Sequence, residues 1–386
     1  MGEQMARTAG EVNRKKVHSY YDYSLLFLIL FLVCFGLVMI YSTSSYNAQK
    51  FYGDAAYYLT RQALFAGAGI LIMLFVSKID YRLYTKKLPI IKLRPITILY
   101  FLCALLQTYV IIFGNEVKGA KRWIKLGSLG TFQPSELSKI AVILGTAFIV
   151  NLAPRKLDKI WGFLRVLLFM GPLLGLIVAE NFSTGLIIGL IIVAISFVAS
   201  KKKAYFIISG AALAGLASLL IIFVDFRTTR FEAWRNVETH EKGYQILQGL
   251  YAIASGGVFG KGLGESMQKL GFIPESHNDM IFSVVCEELG LFGAVTLILL
   301  FILLLWRIFI IAINAPDLYG GLIATGVLVH IASQVLINIA VVTSTIPPTG
   351  IPLPFISYGG SSLMVILFEM GIVLSISNQI KVQRSR

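Results

Sequence analysis

The segment GFIPESHNDMIFSVVCEELG, residues 271–290, concentrates acidic side chains at the start of an apolar run. Glu275, His277 and Asp279 precede the run, whereas Glu287 and Glu288 lie inside it. Acids at membrane depth are functional candidates by default because charge is costly there, and buried ion pairing is the alternative. A carboxylate at such a boundary can accept a proton from a hydroxyl group and so act as a general base.

A second group of polar residues lies in GAKRWIKLGSLGTFQPSELSK, residues 119–139. Lys121 and Arg122 are cations that suit an anionic ligand such as a phosphate, which arginine can hold through two parallel hydrogen bonds. The alternative is an interfacial helix with Trp123 as a membrane anchor. Pro134 with the following acid predicts a helix start. Glu136 and Lys139 are three residues apart and can pair on one helix face.

A third group is FISYGGSSLMV, which follows a proline-rich stretch. Gly359 and Gly360 permit unusual backbone angles, and Ser361 or Ser362 can cap the final helix. A helix N-terminus that faces an outer cavity is a site for an anion or a hydroxyl group. An ordinary cap after a proline-rich turn is the equally supported alternative.

Three further patterns have simpler explanations. His330, Gln334 and Asn338 recur every four residues, and interhelical hydrogen bonding is the favoured interpretation of that stripe. GVFGKGLG has the glycines of a nucleotide loop, but it lacks a preceding strand and Gly262 stands where Ser or Thr is needed. The three cysteines all fall within apolar runs, so no disulfide framework and no dedicated metal site is predicted.

The elements that must position these groups are membrane helices. Of the 386 residues, 56% are hydrophobic and only 14% are charged. Apolar runs of about 18 residues or more, long enough to cross a bilayer, recur along the chain. The sequence therefore predicts an all-α, polytopic membrane protein with about ten spans. They lie near 25–42, 61–77, 96–113, 136–152, 163–179, 184–199, 204–224, 280–312, 320–342 and 361–380.

The formal charge of +14 indicates membrane orientation rather than nucleic-acid binding. Basic residues recur in every second connection, so the positive-inside rule places both termini in the cytoplasm. Residues 1–23 then form a cytoplasmic tail, and residues 225–279 form the one long extracytoplasmic loop. The connections that carry the three polar groups all face outward. Irregular backbone near membrane depth lines a wet cavity or is buried in protein, so we expect a cavity open to the outside.

In order along the chain, GAKRWIKLG with FQPSELSK, GGVFGKGLGESMQKLGFIPESHNDMIFSVVCEELG, and TGIPLPFISYGGSS resemble the SEDS family of FtsW, SpoVE and RodA. The resemblance spans nearly the whole chain, 1–386, which we interpret as one integral membrane domain. The sequence of the proline-rich FISYGGSS motif is closer to FtsW or SpoVE than to RodA. It implies a bacterial peptidoglycan glycosyltransferase that polymerises lipid II at the outer face of the cell membrane, in cell division, sporulation or shape. The implied partners are a class B penicillin-binding protein and other divisome or elongasome membrane proteins.

The resemblance also implies roles for particular residues. The family's catalytic aspartate corresponds to Asp279, for which a helix dipole at the start of the eighth span favours the ionised form. Glu287 and Glu288 are then expected to pack or form ion pairs with neighbouring spans. The substrate-binding residues implied by the matching motifs are Lys121, Arg122, Glu136, Lys139, His277, Ser357, Gly359, Gly360 and Ser361. One departure is visible, because Asn181 stands where the family often has aspartate, and that turn is given no role.

The chemistry of these residues suits a lipid-linked pyrophosphate as leaving group and a sugar hydroxyl as nucleophile. No cofactor is implied with certainty. A divalent cation such as Mg²⁺ or Mn²⁺ could assist at the pyrophosphate. The rival function is a flippase for a lipid-linked precursor, which should need a route open to both sides of the membrane. A scaffold that only recruits other proteins would leave Asp279 dispensable.

Overall fold

The structure is a computed structural model, and it describes residues 17–89, 92–117, 120–125, 127, 131–208, 210–211, 215, 231–240 and 243–383. Helices dominate it. In chain order the elements are β1 (Val17–Ser19), α1 (Tyr23–Tyr52), α2 (Tyr57–Val76), α3 (Pro95–Phe113), β2 (Asn115–Val117), β3 (Ala120–Lys125), β4 (Thr131–Phe132), α4 (Pro134–Leu152), α5 (Ile160–Glu180), α6 (Phe182–Ala199), α7 (Tyr244–Gly256), α8 (Ile281–Ile313), α9 (Leu318–Val342), α10 (Gly360–Asn378) and β5 (Lys381–Gln383).

Nine of the ten predicted membrane helices are present among the described residues. Within the described ranges, nine helices are long and apolar enough to cross a membrane, namely α1–α6 and α8–α10. They correspond one to one with nine of the predicted spans. The remaining predicted span, 204–224, falls largely outside the described residues. The close pair α5 and α6 is separated by Asn181 alone, whose side chain accepts a hydrogen bond from the Thr184 backbone N–H and caps α6.

The two ends of the described chain lie side by side. β1 pairs with β5 in antiparallel register, with Val17 opposite Gln383. Next to this pairing, Asp22 at the start of α1 binds Arg307 of α8 at 2.7 Å. Near the same helix ends, burial acts to raise the pKa of Asp317, but hydrogen bonds from the Gly320 N–H, Arg82 and Tyr81 outweigh it and hold that pKa below its usual value.

The helices pack around α4 and α10, the two spans that are most enclosed by the rest of the protein. Small residues permit the close approaches. A Cβ atom at Gly326 of α9 would lie 2.9 Å from side-chain atoms of Ile143 in α4 and Ile195 in α6. Small residues at helix crossings are typical of membrane bundles because packing, rather than a hydrophobic driving force, holds the helices together.

Helix α8 is interrupted at Gly290, which has φ 65° and ψ −167°. The loop after α7 supplies the backbone partners that the break removes from the helix. The N–H groups of Lys261 and Gly262 donate to the carbonyls of residues 287 and 288 at 2.9 and 3.0 Å. In return, the N–H groups of Leu291 and Phe292 donate to carbonyls 257 and 258 at 2.9 and 3.0 Å. Broken helices are tolerated at membrane depth when their freed backbone groups are satisfied in this way.

The close contact between this loop and α8 explains the glycines of the GVFGKGLG motif. A Cβ atom at Gly260 would lie 2.2 Å from the Glu288 carbonyl oxygen, and one at Gly290 would lie 2.3 Å from the Gly260 nitrogen. The glycines are therefore required for two backbone segments to lie in direct contact. The motif follows helix α7 rather than a strand, in agreement with its exclusion as a nucleotide loop.

The connection after α3 differs from one expectation. Trp123 lies in β3, which pairs with β2 and β4 in a small antiparallel sheet, so the interfacial-helix interpretation of this segment is wrong. Asn115 pairs with Trp123 on one side of β3, and Phe132 pairs with Ile124 on the other. Strand pairing satisfies the backbone of a connection that would otherwise expose polar groups beside the membrane.

Candidate functional site

The turn that carries Asp279 is fixed by hydrogen bonds to three consecutive carbonyls. The His277 carbonyl accepts from the Tyr358 N–H at 2.9 Å. The Asn278 carbonyl accepts from the Ser357 hydroxyl at 2.7 Å, and the Asp279 carbonyl accepts from the Asn338 amide at 2.8 Å. Residues far apart in sequence therefore hold this turn immediately before α8, which begins at Ile281.

The Asp279 carboxylate lies against the proline-rich connection between α9 and α10. A Cβ atom at Gly350 would be 3.9 Å from Asp279 Oδ2, and Gly350 has φ +72°. Asp279 is half-buried. The Asn338 amide that binds the Asp279 carbonyl also donates to the Ile351 carbonyl at 2.9 Å, so one side chain joins the turn to this connection. The position combines a fixed backbone with a partly accessible carboxylate, as a positioned base requires.

His277 is buried between two aromatic rings. Its ring centroid is 4.4 Å from that of Tyr58 in α2 and 5.5 Å from that of Tyr358. Burial raises the pKa of the Tyr358 hydroxyl. Sequence reasoning selected His277 but missed both tyrosines, because aromatic residues at helix ends are usual in any membrane protein.

The residues of the FISYGG segment form hydrogen bonds and packing contacts around the Asp279 turn. The Ser357 hydroxyl accepts from the Leu353 N–H at 2.8 Å while it donates to the Asn278 carbonyl. The Gly359 N–H donates to Gln62 Oε1 at 3.1 Å. A Cβ atom at Gly360 would lie 2.2 Å from the Phe65 ring, so this helix start must be glycine for α2 to approach.

The expected serine cap of α10 is absent, which corrects the prediction for Ser361 and Ser362. The helix begins at Gly360 after Gly359, with no side-chain cap. Both serines fall inside the first turn, two and three positions after the N-cap residue Gly359, too late to accept from the N–H groups that an N-cap residue binds. The Ser362 hydroxyl instead donates to Glu136 Oε2 at 2.7 Å. Ser361 is half-buried at the same helix start.

The predicted pairing of Glu136 with Lys139 is confirmed. Lys139 Nζ lies 3.0 Å from Glu136 Oε1, and both side chains are buried. Ser362 of α10 completes the group, so α4 and α10 share a buried, hydrogen-bonded ion pair. A buried pair of this kind is unfavourable to assemble unless its remaining hydrogen bonds are satisfied.

Arg122 contacts the C-terminal end of α5. Its Nε donates to the Glu180 carbonyl at 3.1 Å, and the Glu180 carboxylate accepts from the Gln107 amide. Glu180 was missed by sequence reasoning, although an acid at the end of an apolar run was a usable signal. Lys121 lies in β3, and its side chain is outside the described part of the structure.

Glu287 and Glu288 are both buried and ion-paired, as expected, but their cationic partners come from the long loop rather than from neighbouring spans. Glu287 binds Lys261 at 2.7 Å, and Glu288 binds Lys269 at 2.8 Å. Ser42 of α1 donates to Glu288 at 2.6 Å. The two acids therefore fasten the loop to α8 and α1, and their role differs from that of Asp279.

One member of the polar stripe of α9 makes the interhelical contact that the favoured interpretation predicted, whereas Gln334 Oε1 is buried without a hydrogen-bond partner among the described residues. His330 Nδ1 lies 2.7 Å from Glu369 Oε2 of α10, with both side chains buried. Asn338 binds the two carbonyls described above. Intramembrane polar groups that pair in this way join helices.

Among the residues that the structure describes, no three His, Cys, Asp or Glu side chains come together as a metal-binding group.

The fold and the Asp279 turn define a polytopic helical membrane protein with a carboxylate held immediately before helix α8. The sequence model of the FtsW, RodA and SpoVE family, described as "Cell cycle protein", matches residues 23–382. The chain belongs to this family.

Individual relatives agree with that assignment. The chain is 38% identical to a probable peptidoglycan glycosyltransferase FtsW of Trichlorobacter lovleyi, with 94% of each chain covered. It is also 38% identical to the stage V sporulation protein E of Bacillus subtilis, with 92% of this chain and 96% of that protein covered.

Two solved structures are similar. One is described as structural coordination of polymerization and crosslinking by a peptidoglycan synthase complex. It has a TM-score of 0.76 and 28% identity, and the match covers 92% of this chain and 97% of that one. The other is the rod shape determining protein RodA of Thermus thermophilus, with a TM-score of 0.68, 27% identity, and coverage of 93% and 97%.

Proposed function

We propose that this protein is a peptidoglycan glycosyltransferase that polymerises lipid II into glycan strands at the outer face of the bacterial cell membrane. The observation that carries the proposal is the Asp279 turn, whose three carbonyls are held by Asn338, Ser357 and the Tyr358 N–H. Relatives that match nearly the whole chain are named as probable enzymes of this class. A fixed carboxylate at a membrane boundary is what activation of a sugar hydroxyl would need.

In the proposed reaction, Asp279 accepts the proton of the acceptor hydroxyl as its oxygen attacks the anomeric carbon of the donor sugar. The bond from that carbon to the pyrophosphate oxygen breaks, and the lipid pyrophosphate leaves with the electron pair. Attack from the opposite face inverts the anomeric carbon. The hydrogen bonds to carbonyls 277–279 fix the position of the base, so little reorganisation is needed when the proton moves.

We still expect the remaining predicted residues to bind the substrate. His277 packs on Tyr58, and Ser357 binds the Asn278 carbonyl of the same turn. The Glu136–Lys139 pair contacts the start of α10 through Ser362. Arg122 is a candidate for binding the pyrophosphate, next to Glu180.

The proposed topology is one membrane domain over 1–386 with both termini in the cytoplasm. Support comes from the β1–β5 pairing, which brings the ends of the described chain to one side and so requires an even number of crossings. The predicted span over 204–224, added to the nine helices of the described ranges, makes ten. The tail 1–23 is then cytoplasmic, and the loop 225–279 is extracytoplasmic.

The proposed partner is a class B penicillin-binding protein that supplies transpeptidation, together with other membrane proteins of division or elongation. The similar solved structure is described as a peptidoglycan synthase complex that coordinates polymerization with crosslinking. That description, at 28% identity over 92% of this chain, supports a shared mode of assembly.

The test is glycan synthesis from lipid II by the purified protein, with and without a class B partner. Asp279→Asn keeps the shape of the side chain but removes the base, so it should fold, bind its partner and make no glycan. Glu275→Gln, four residues earlier in the same loop, is the matched control and should retain synthesis. Strands made by Asp279→Asn at near the wild-type rate, or a wild-type protein that only translocates lipid II, would refute the proposal.

A further inference from the structure

Arg61 is a half-buried cation near the outer end of α2 that the sequence motifs did not single out. Its guanidinium lies over the Tyr57 ring, 4.5 Å from the ring centroid. Within the described residues it has no hydrogen-bond or ion-pair partner, whereas Arg82 and Arg307 bind aspartates at 2.6 and 2.7 Å. A cation held at the membrane boundary without an acid is costly, so an external anion is the natural counter-charge.

Arg61 is connected to the Asp279 turn through the hydrogen bonds of its neighbour Gln62. The next residue, Gln62, is fully buried, and its amide bonds the Ser357 carbonyl at 3.4 Å and the Gly359 N–H at 3.1 Å. Ser357 in turn holds the Asn278 carbonyl. The charge of Arg61 also reaches Tyr358, where burial raises the pKa of the hydroxyl and the arginine partly offsets that rise.

Stacking on Tyr57 does not use the N–H groups of the Arg61 guanidinium. A guanidinium that covers an aromatic face still presents its N–H groups in its own plane, where they match two oxygens of a phosphate. Tyr57 is itself stacked on Tyr52, with centroids 3.8 Å apart and planes 6° from parallel. The two rings therefore form a rigid support that fixes the direction of the guanidinium.

We propose that Arg61 is an anion-binding residue of the outer site and that it holds the phosphate oxygens of the lipid-linked pyrophosphate substrate. The identity of the substrate rests on the proposed function, whereas the anion site itself rests on the geometry of Arg61, Tyr57 and Gln62. The same phosphate chemistry is offered by phospholipid headgroups, and the experiment separates the two sources.

The first measurement is lipid II polymerisation by Arg61→Gln. Loss of a charge-assisted bidentate contact should raise KM by about tenfold or more, with a much smaller change in kcat, because the contact is made in the bound substrate as well as in the transition state. Arg61→Lys should restore part of the affinity, since the charge remains but the planar fork is lost. Lys50→Gln is the matched control, because Lys50 also lies over an aromatic ring, Phe51, near the same helix ends, but it is exposed.

The second measurement uses inorganic pyrophosphate and does not depend on activity. Pyrophosphate should raise the thermal midpoint of the wild-type protein and of Lys50→Gln in detergent, but not that of Arg61→Gln. A native mass spectrum of each variant with phosphatidylglycerol forms the parallel arm. Loss of phosphatidylglycerol adducts in Arg61→Gln with an unchanged KM would assign the anion site to the headgroup and refute the substrate role.

The outcomes separate the two proposals. If the wild-type protein makes no glycan but pyrophosphate still stabilises it through Arg61, the proposed function fails and the anion site stands. If Arg61→Gln folds, polymerises with the wild-type KM and is stabilised by pyrophosphate as the wild type is, the anion site is refuted. If Arg61→Gln does not fold, the same comparison is made with Arg61→Lys, for which a full wild-type response to pyrophosphate and an unchanged KM refute the proposal.

Discussion

The buried pair of Lys269 and Glu288 offers the sharpest test of how the long loop is held. Lys269 Nζ lies 2.8 Å from Glu288 Oε1, and the exposed fractions of the two side chains are 6% and 0%. Lys269 also donates to Ser42 Oγ at 3.0 Å and to the Gly264 carbonyl at 2.6 Å. One ammonium group thus joins the loop, α8 and α1.

Lys269→Met removes the positive charge and keeps most of the side-chain volume. Glu288 would then be left with the Ser42 hydroxyl as its remaining donor, inside the protein. Removal of one partner of a buried ion pair typically lowers the free energy of unfolding by about 3–5 kcal/mol, because the other charge stays buried without compensation. The double replacement Lys269→Met with Glu288→Met removes both charges, and we expect it to recover most of that loss.

The assay is equilibrium unfolding in mixed detergent and sodium dodecyl sulfate micelles, followed by the fluorescence of the four tryptophans. A double-mutant cycle isolates the coupling between the two residues. The control is Arg82→Ala, since the Arg82–Asp317 pair has side chains 42% and 33% exposed and should contribute about 1 kcal/mol or less. A loss of about 0.5 kcal/mol or less for Lys269→Met, or a double variant as unstable as the sum of the single ones, would refute this account of the loop.

Three further outcomes are expected. Gly260→Ala should lower both the thermal midpoint and glycan synthesis, because its Cβ would meet the backbone across the break in α8, whereas Gly67→Ala, with nothing within 4 Å of its Cβ, should change neither. Ser357→Ala should lower kcat by about tenfold, since it frees one carbonyl of the turn that positions Asp279, and it should also lower the thermal midpoint because the buried Leu353 N–H loses its acceptor; an unchanged kcat would contradict this. The lowered pKa of Asp317 means that its stabilisation is fully present above its ordinary value of about 3.9 and is lost as pH falls through the folded-state pKa. Asp317→Asn should therefore flatten the decline of the thermal midpoint in acid, and an identical acid profile for both proteins would contradict the assignment.

The sequence by itself determined the membrane architecture and some local pairings. Apolar runs of bilayer length can only be helices there, because backbone groups have no water to bind, so nine predicted spans correspond to α1–α6 and α8–α10. Local spacing also sufficed for the Glu136–Lys139 pair, whose members lie one helical turn apart. Burial with ion pairing of Glu287 and Glu288 followed from the cost of charge in an apolar run.

Only the tertiary structure decided which distant groups meet. The Ser357 hydroxyl reaches the Asn278 carbonyl across 79 residues of sequence, and the Ser362 hydroxyl reaches Glu136 across 226, so no local pattern could reveal either contact. The cationic partners of Glu287 and Glu288 were misassigned to spans because the loop folds back into the break at Gly290, a geometry set by backbone contact between glycines. The sequence did not predict a role for Arg61 for the same reason. An arginine at a helix end is common, and only its contact with the Tyr57 ring and the hydrogen bonds of the adjacent buried Gln62 distinguish it. Periodicity and the cost of burying charge act within one segment, whereas the geometry of a site depends on how separate segments pack.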